Sequence, residues 1–123
     1  MSPNEYSSAA LAYLGDAVIE LMAREKAVRS GISDAGELNK YVFSFVTASA
    51  QSAAENNIEN ILTEEELSVY KRARNRSPHT VPKNARVTDY RRATGFEAVF
   101  AYLWLSGKKE RAAELFDIAY KTE

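Results

Sequence analysis

Apolar residues recur along this chain at the spacing of one face of an α-helix. Leu11, Leu14, Gly15, Val18 and Met22 follow the i, i+3, i+4, i+7, i+11 rule. Ala9, Ala12, Ile19 and Ala23 form a second, mostly small-residue stripe, and Asp16 lies in it. A helix apolar on more than one face packs from several sides. The pattern predicts a helix from about Ser8 to Arg29, stopped near Gly31. A second helix is predicted from Ser33 to about Asn56, with Leu38, Tyr41, Val42, Phe45 and Val46 on one face and Asn56-Asn57 as its end. Thr63-Glu64-Glu65-Glu66 has the form of a capping box and opens a helix to about Arg74. Its acidic first turn and basic last turn both suit the helix dipole. Arg74 to Val87, RNRSPHTVPKNARV, carries Pro78 and Pro82 and no apolar period, so it reads as a loop. Thr88 or Asp89 is expected to cap a long helix through Trp104 or Leu105. Ser106-Gly107 breaks it, and Lys108 to about Lys121 forms the last helix. Strand-like alternation is missing, so the class is all-α, a single helical domain over residues 1–123. Tyr41, Phe43, Phe45, Phe96, Phe100, Tyr102 and Trp104 fall at helical spacing, as core or subunit-contact residues would.

Two positions break the pattern. LAYLGDAVIE, residues 11–20, places Gly15 and Asp16 in the middle of an apolar helix. Glycine there costs about 1 kcal/mol against alanine, and a carboxylate among apolar neighbours needs a partner. TGFEAVFAYLW repeats the oddity, with Gly95 two residues before Glu97. Small residues let helix backbones approach closely. If the two helices cross at these points, Asp16 and Glu97 face each other. Two carboxylates brought together repel, and both are desolvated. A divalent cation resolves the conflict: Mg²⁺ takes one or two carboxylates, keeps several waters and completes its shell with substrate phosphate. Such an ion activates water and stabilises charge developing on a phosphodiester. A structural role for either acid, paired with an arginine or capping a helix, is the competing reading.

Composition narrows the setting. The chain of 123 residues has no cysteine, which excludes disulfides, thiolate metal sites and a cysteine nucleophile. No apolar run approaches the length of a membrane span, and MSPNEYSSAA lacks the features of a secretion signal. A cytoplasmic protein is expected. The net charge of −1 hides an asymmetry. Glu55 to Tyr70 holds five glutamates and no base, whereas Lys71 to Arg92 holds eight of the sixteen bases, opposed only by Asp89. Local field rather than net charge decides what a surface attracts.

LGDAV, Leu14 to Val18, resembles the core of the ribonuclease III signature, E-x-L-G-D-[AS]. ATGFEA, Ala93 to Ala98, resembles that family's second acidic motif, D-x-x-E-A. The resemblance extends over nearly the whole chain. LAYLGDAV, TEEE followed by KRARNR, and VPKNARVTDYRRATGFEA are similar to the Mini-III ribonucleases, a branch consisting of the catalytic domain alone. The resemblance implies a ribonuclease III endonuclease-like helical bundle. It implies a homodimeric, Mg²⁺-dependent endonuclease cutting double-stranded RNA to 5′-phosphate and 3′-hydroxyl ends. It implies maturation of the large-subunit (23S) ribosomal RNA precursor, with a ribosomal protein as a compatible further partner. Asp16 and Glu97 match the family's active-site aspartate and its second essential acid, as catalytic residues and metal ligands.

The chain departs from the larger family at two places. Ala12 stands where the family has a glutamate four residues before the aspartate. Thr94 stands where it has an aspartate three residues before the second glutamate. One ion held by Asp16 and Glu97 is therefore expected rather than two, with Glu20 a surface residue that could assist. The neutral pair also supports a rival reading, a non-catalytic module binding structured RNA or the ribosome. Once the helices are placed, no residues are left for a separate double-stranded-RNA-binding domain. The catalytic domain must then grip its own substrate. Arg72, Arg74, Arg76, Lys83 and Arg86 are the expected contacts, since duplex RNA is read by shape and phosphate. Arg91 and Arg92 could instead pair with a buried acid, and His79 reads as an exposed loop residue.

Overall fold

The computed structural model describes residues 5–76 and 86–121. These residues form six α-helices, one 3₁₀ turn and no strand, as the periodicity predicts. Helix α1 (Ser8–Arg29) begins and ends where the apolar spacing places it. The Ser7 hydroxyl accepts the Ala10 N–H at 3.0 Å and caps its first turn.

The predicted second helix is two helices. α2 (Ala35–Val46) and α3 (Ala48–Ile58) meet at Thr47, whose backbone is extended (φ −69°, ψ 156°). The Thr47 hydroxyl accepts the Ala50 N–H at 3.2 Å. A side-chain oxygen that satisfies backbone donors allows a bend without glycine or proline. α2 starts at Ala35, two residues after the expected Ser33, and Asp34 caps it. Asn56-Asn57 does not end α3, which runs to Ile58 and into the 3₁₀ turn Glu59–Ile61. Asn57 instead donates to the Ala119 carbonyl at 2.9 Å, tying α3 to the end of the last helix.

α4 (Glu64–Arg74) opens with the capping box as read from the sequence. Thr63 accepts the Glu66 N–H at 3.1 Å, and Glu66 accepts the Thr63 N–H at 2.9 Å. Arg111 also donates to Glu66, at 2.9 and 3.0 Å. Burial opposes ionisation there, but Arg111 and Thr63 outweigh it and hold the Glu66 carboxyl below its ordinary range. α5 (Val87–Leu105) starts earlier than Thr88 or Asp89. Its N-cap is Arg86, with no side-chain capping bond, and both expected caps sit in the first turn. α6 (Lys109–Ala119) closes the bundle. Pro78, His79, Pro82 and Lys83 lie outside the described residues.

α5 is the axis of the molecule and packs against α1, α3, α4 and α6. From Ala93 to Leu103, Glu97 alone is not fully buried. Phe96, Val99, Phe100 and Leu103 are at most 1% exposed, each contributing about 1.5–3 kcal/mol by burial. Phe45, Phe96, Phe116 and Tyr120 pack ring against ring where α2, α5 and α6 meet. Of the aromatics expected in the core or at a subunit contact, Phe43 stays 67% exposed and Trp104 lies beneath the Lys109 ammonium. Among the described residues no helix is long and apolar enough to cross a membrane.

Candidate active site

Gly15 explains the first oddity of the sequence. α1 and α5 cross at Gly15 and Glu97 with no side chain between them. A Cβ at Gly15 would overlap the Glu97 carbonyl group, and Glu97 Cα would lie 2.9 Å from it. The crossing places Asp16, the next residue on α1, beside the Glu97 side chain, and both carboxyl groups line one cleft. The juxtaposition expected from two acids beside small residues is therefore present. Gly95 has a different task. A Cβ there would meet the Tyr70 ring at 2.6 Å, so this glycine admits α4, not α1.

The two acids differ in solvation, against the expectation that both are desolvated. Asp16 is exposed at the mouth of a cleft, while Glu97 is largely enclosed because it rises from the most buried stretch of α5. Burial, the hydrogen bond with Asp16 and the Asp16 charge together push Glu97 up to about 9. Near neutral pH Glu97 thus holds its proton. The Gln51 amide, from α3, acts on Glu97 in the opposite sense. Tyr120 also feels this site: burial, then the Glu97 charge, raise its hydroxyl above the ordinary range. Its proton goes to the Phe45 carbonyl at 2.8 Å.

The cleft has a volume of about 340 Å³ and is lined by Ala9, Ala12, Tyr13, Asp16, Arg76, Tyr90, Thr94 and Glu97. All four positions singled out from the acidic motifs thus converge on one opening. Ala12 brings no donor, and Thr94 donates its hydroxyl to the Tyr90 carbonyl of its own helix at 2.8 Å. Glu20 is turned to Arg24 at 3.1 Å. Among the described residues no group of three or more Asp, Glu, His or Cys could hold a metal ion. The available donor set is two carboxylates, which suits a hard cation that keeps most of its water.

The arginines expected to hold RNA divide into distinct positions. Arg76 reaches the acidic cleft itself. Arg72 donates to the Tyr6 carbonyl at 3.1 Å. Arg74 lies 5.4 Å over the Tyr70 ring and bonds Asn75. Arg86 is exposed at the start of α5, and Lys83 is outside the described residues. A neighbouring cleft of about 470 Å³, between the end of α4 and the start of α5, is lined by Arg74, Arg91 and Arg92. Arg92 does pair with a buried acid. It donates to Glu55 Oε1 at 2.9 and 3.2 Å, alongside the Tyr70 hydroxyl at 3.0 Å. Glu55 itself is fully buried, and burial raises its carboxyl despite Arg92.

Sequence reasoning missed Gln51, Tyr13 and Tyr90. Tyr13 is one helical turn before Asp16, a spacing that could have flagged it. Nothing in ASAQSAAENN distinguishes Gln51, because its partner lies on a different helix.

Residues 9–108 match the family model described as the Ribonuclease III domain. A Mini-ribonuclease 3 of Brevibacillus brevis is 41% identical over 96% of this chain and 88% of that protein. One from Enterococcus faecalis is 43% identical over 91% of this chain and 86% of its own. The crystal structure of a Fusobacterium nucleatum protein superposes with a TM-score of 0.86 at 37% identity, covering 95% of this chain and 93% of that one. The chain belongs to the ribonuclease III family and, within it, groups with the Mini-ribonuclease 3 proteins, which makes it an endoribonuclease. Enzymes of this family act on double-stranded RNA, are generally dependent on divalent metal and are generally dimeric.

Proposed function

We propose that Asp16 and Glu97 are the catalytic pair of a Mg²⁺-dependent nuclease that cuts duplex RNA. The observation that carries this reading is the juxtaposition of two carboxyls in an open cleft. An acid whose charged neighbour opposes its ionisation is one that a divalent cation would relax. Bound there, Mg²⁺ would stabilise charge on the scissile phosphodiester during attack by water. The chain's own residues do the rest. Asp16, at the cleft mouth, and Glu97, held by the α1–α5 crossing, would hold the ion, and Arg76 would neutralise the phosphate that enters the cleft. Arg72, Arg74, Arg86 and Arg91 extend the basic ground along the strand, and Lys83, outside the described residues, is the further contact expected from the sequence, each phosphate contact steepening the salt dependence of binding.

The substrate we assign is the paired stem of the 23S ribosomal RNA precursor, in the cytoplasm, cut by a homodimer to 5′-phosphate and 3′-hydroxyl ends. The dimer surface is supported by a stripe along α1, where Tyr13, Leu21 and Val28 are 86%, 52% and 63% exposed. Their spacing puts them on one helix face.

The test is cleavage of an end-labelled RNA duplex with Mg²⁺ or with EDTA. Wild type should cut only with metal, and Asp16→Asn and Glu97→Gln should each lose more than about a hundredfold, beyond the range of metal-site supporting residues. If Asp16→Asn cuts as fast as wild type, the assignment of the catalytic pair is lost.

A further inference from the structure

Glu97 has a neighbour that the reaction, as derived so far, does not use. Gln51 lies on α3, is only 2% exposed, and its amide nitrogen Nε2 has no hydrogen-bond partner among the described residues. A buried amide donor left unmade costs about 1–3 kcal/mol. Leucine or methionine would fill such a place without that cost, so packing alone does not account for glutamine. The amide approaches the Glu97 carboxyl closely enough to favour its ionised form, yet completes no hydrogen bond of normal geometry. A carboxylate that is ionised accepts only, and offers about four lone-pair sites to donors and cations.

We propose that Gln51 is the positioning residue of this site: its Nε2–H donates to one oxygen of Glu97 and leaves the other turned toward Asp16 and the cation. This inference rests on the reading of Asp16 and Glu97 as the pair that holds the ion. It gives the site a third contributor in place of the acids that Ala12 and Thr94 do not supply. The contributor is neutral, so it orients a ligand without adding charge to it. Hydrogen bonds of this kind to a ligating side chain are commonly worth 10–100-fold in metal affinity or activity.

The experiment compares wild type, Gln51→Met and Glu97→Gln. Methionine matches glutamine in length and carries no N–H donor. Mn²⁺ is titrated into each metal-free protein by calorimetry, and duplex cleavage is followed against Mg²⁺ concentration. Gln51→Met should bind Mn²⁺ about tenfold more weakly. It should need correspondingly more Mg²⁺ for half-maximal cleavage while keeping the wild-type KM for RNA. Its metal-free stability to urea should equal or exceed wild type, because an unmatched donor is gone. Unchanged Mn²⁺ affinity, with or without lost stability, makes Gln51 a packing residue and overturns the inference. If Gln51→Met does not fold, Gln51→Leu carries the same comparison. Should Glu97→Gln bind Mn²⁺ like wild type, the ion-holding pair is wrong, a failure distinct from that of Gln51.

Discussion

Gly15 and Glu97 touch backbone to backbone, and this contact sets the separation of the two acids. A methyl group at Gly15 would overlap the Glu97 carbonyl, and neither helix backbone can yield as a side chain would. Gly15→Ala should cost about 3 kcal/mol or more, the upper range for overpacking. Urea denaturation checks the loss. The folded fraction should also cleave duplex RNA poorly, because the helices must part to admit the methyl.

The raised Glu97 carboxyl makes stability depend on pH in a defined direction. Glu97 is raised from 4.5 to about 9 in the folded chain. The folded state therefore binds more protons than the unfolded state between those values, and its stability falls as pH rises through the window. The contribution is full below about pH 4.5 and gone above about 9. Metal-free wild type should lose on the order of a few kcal/mol across this range, each pK unit being worth about 1.4 kcal/mol. Glu97→Gln should lack that slope. Melting curves from pH 5 to 9 in EDTA decide the matter, and parallel curves would refute it.

Metal should reverse the trend. Binding near neutral pH must expel the proton that Glu97 holds, so each ion taken up should release about one proton. Calorimetry in two buffers of different ionisation enthalpy reads that number directly. Mg²⁺ should then raise the melting temperature more at pH 8 than at pH 6. Removing it with EDTA should restore the metal-free curve.

Glu55, Arg92 and Tyr70 form a second charged junction, linking α3, α5 and α4. Glu55 Oε2 is buried without a partner among the described residues, so Arg92 is the main compensation for its charge. Arg92→Met should destabilise by about 3 kcal/mol, the usual cost of stranding one member of a buried pair. The variant should recover on acidification, since Glu55 is already raised by burial and protonation removes the stranded charge. Glu55→Leu combined with Arg92→Met should regain most of the loss at pH 7.

The exposed stripe on α1 gives the fifth prediction. Leu21→Glu places a charge at the centre of the Tyr13–Val28 face. Sedimentation velocity should show wild type at twice the mass of this variant. Equal masses would remove the proposed dimer surface.

Much of this architecture was legible because helices announce themselves by spacing. Gly15, Asp16 and Glu97 stood out because each violates the local preference of an apolar helix, and such violations cluster where function or close packing demands them. Thr47 did not stand out. Helical periodicity continues from Val46 into Ala48, and a threonine that caps looks like any other threonine in the sequence. The start of α5 was misread for the converse reason: Thr88 and Asp89 are good capping residues, but the first turn begins at Val87 without a side-chain cap. Glu55 was one of five glutamates in an acidic stretch with nothing in the sequence to single it out, although it is the most deeply buried of them. Its burial depends on Tyr70 and Arg92, residues from other helices. Gln51 was hidden in the same way. Sequence spacing reports which face of a helix a residue occupies, not what another helix brings to that face.

Because nothing but main chain separates α1 from α5 at the crossing, the spacing of Asp16 and Glu97 cannot be tuned by trimming a nearby side chain. It can change only if the two rods slide or spread as whole bodies. With glycine in place at position 15, loss of this calibrated gap and loss of the bundle are therefore one event. A spectroscopic label reporting the distance between the rods would register melting and inactivation as a single transition.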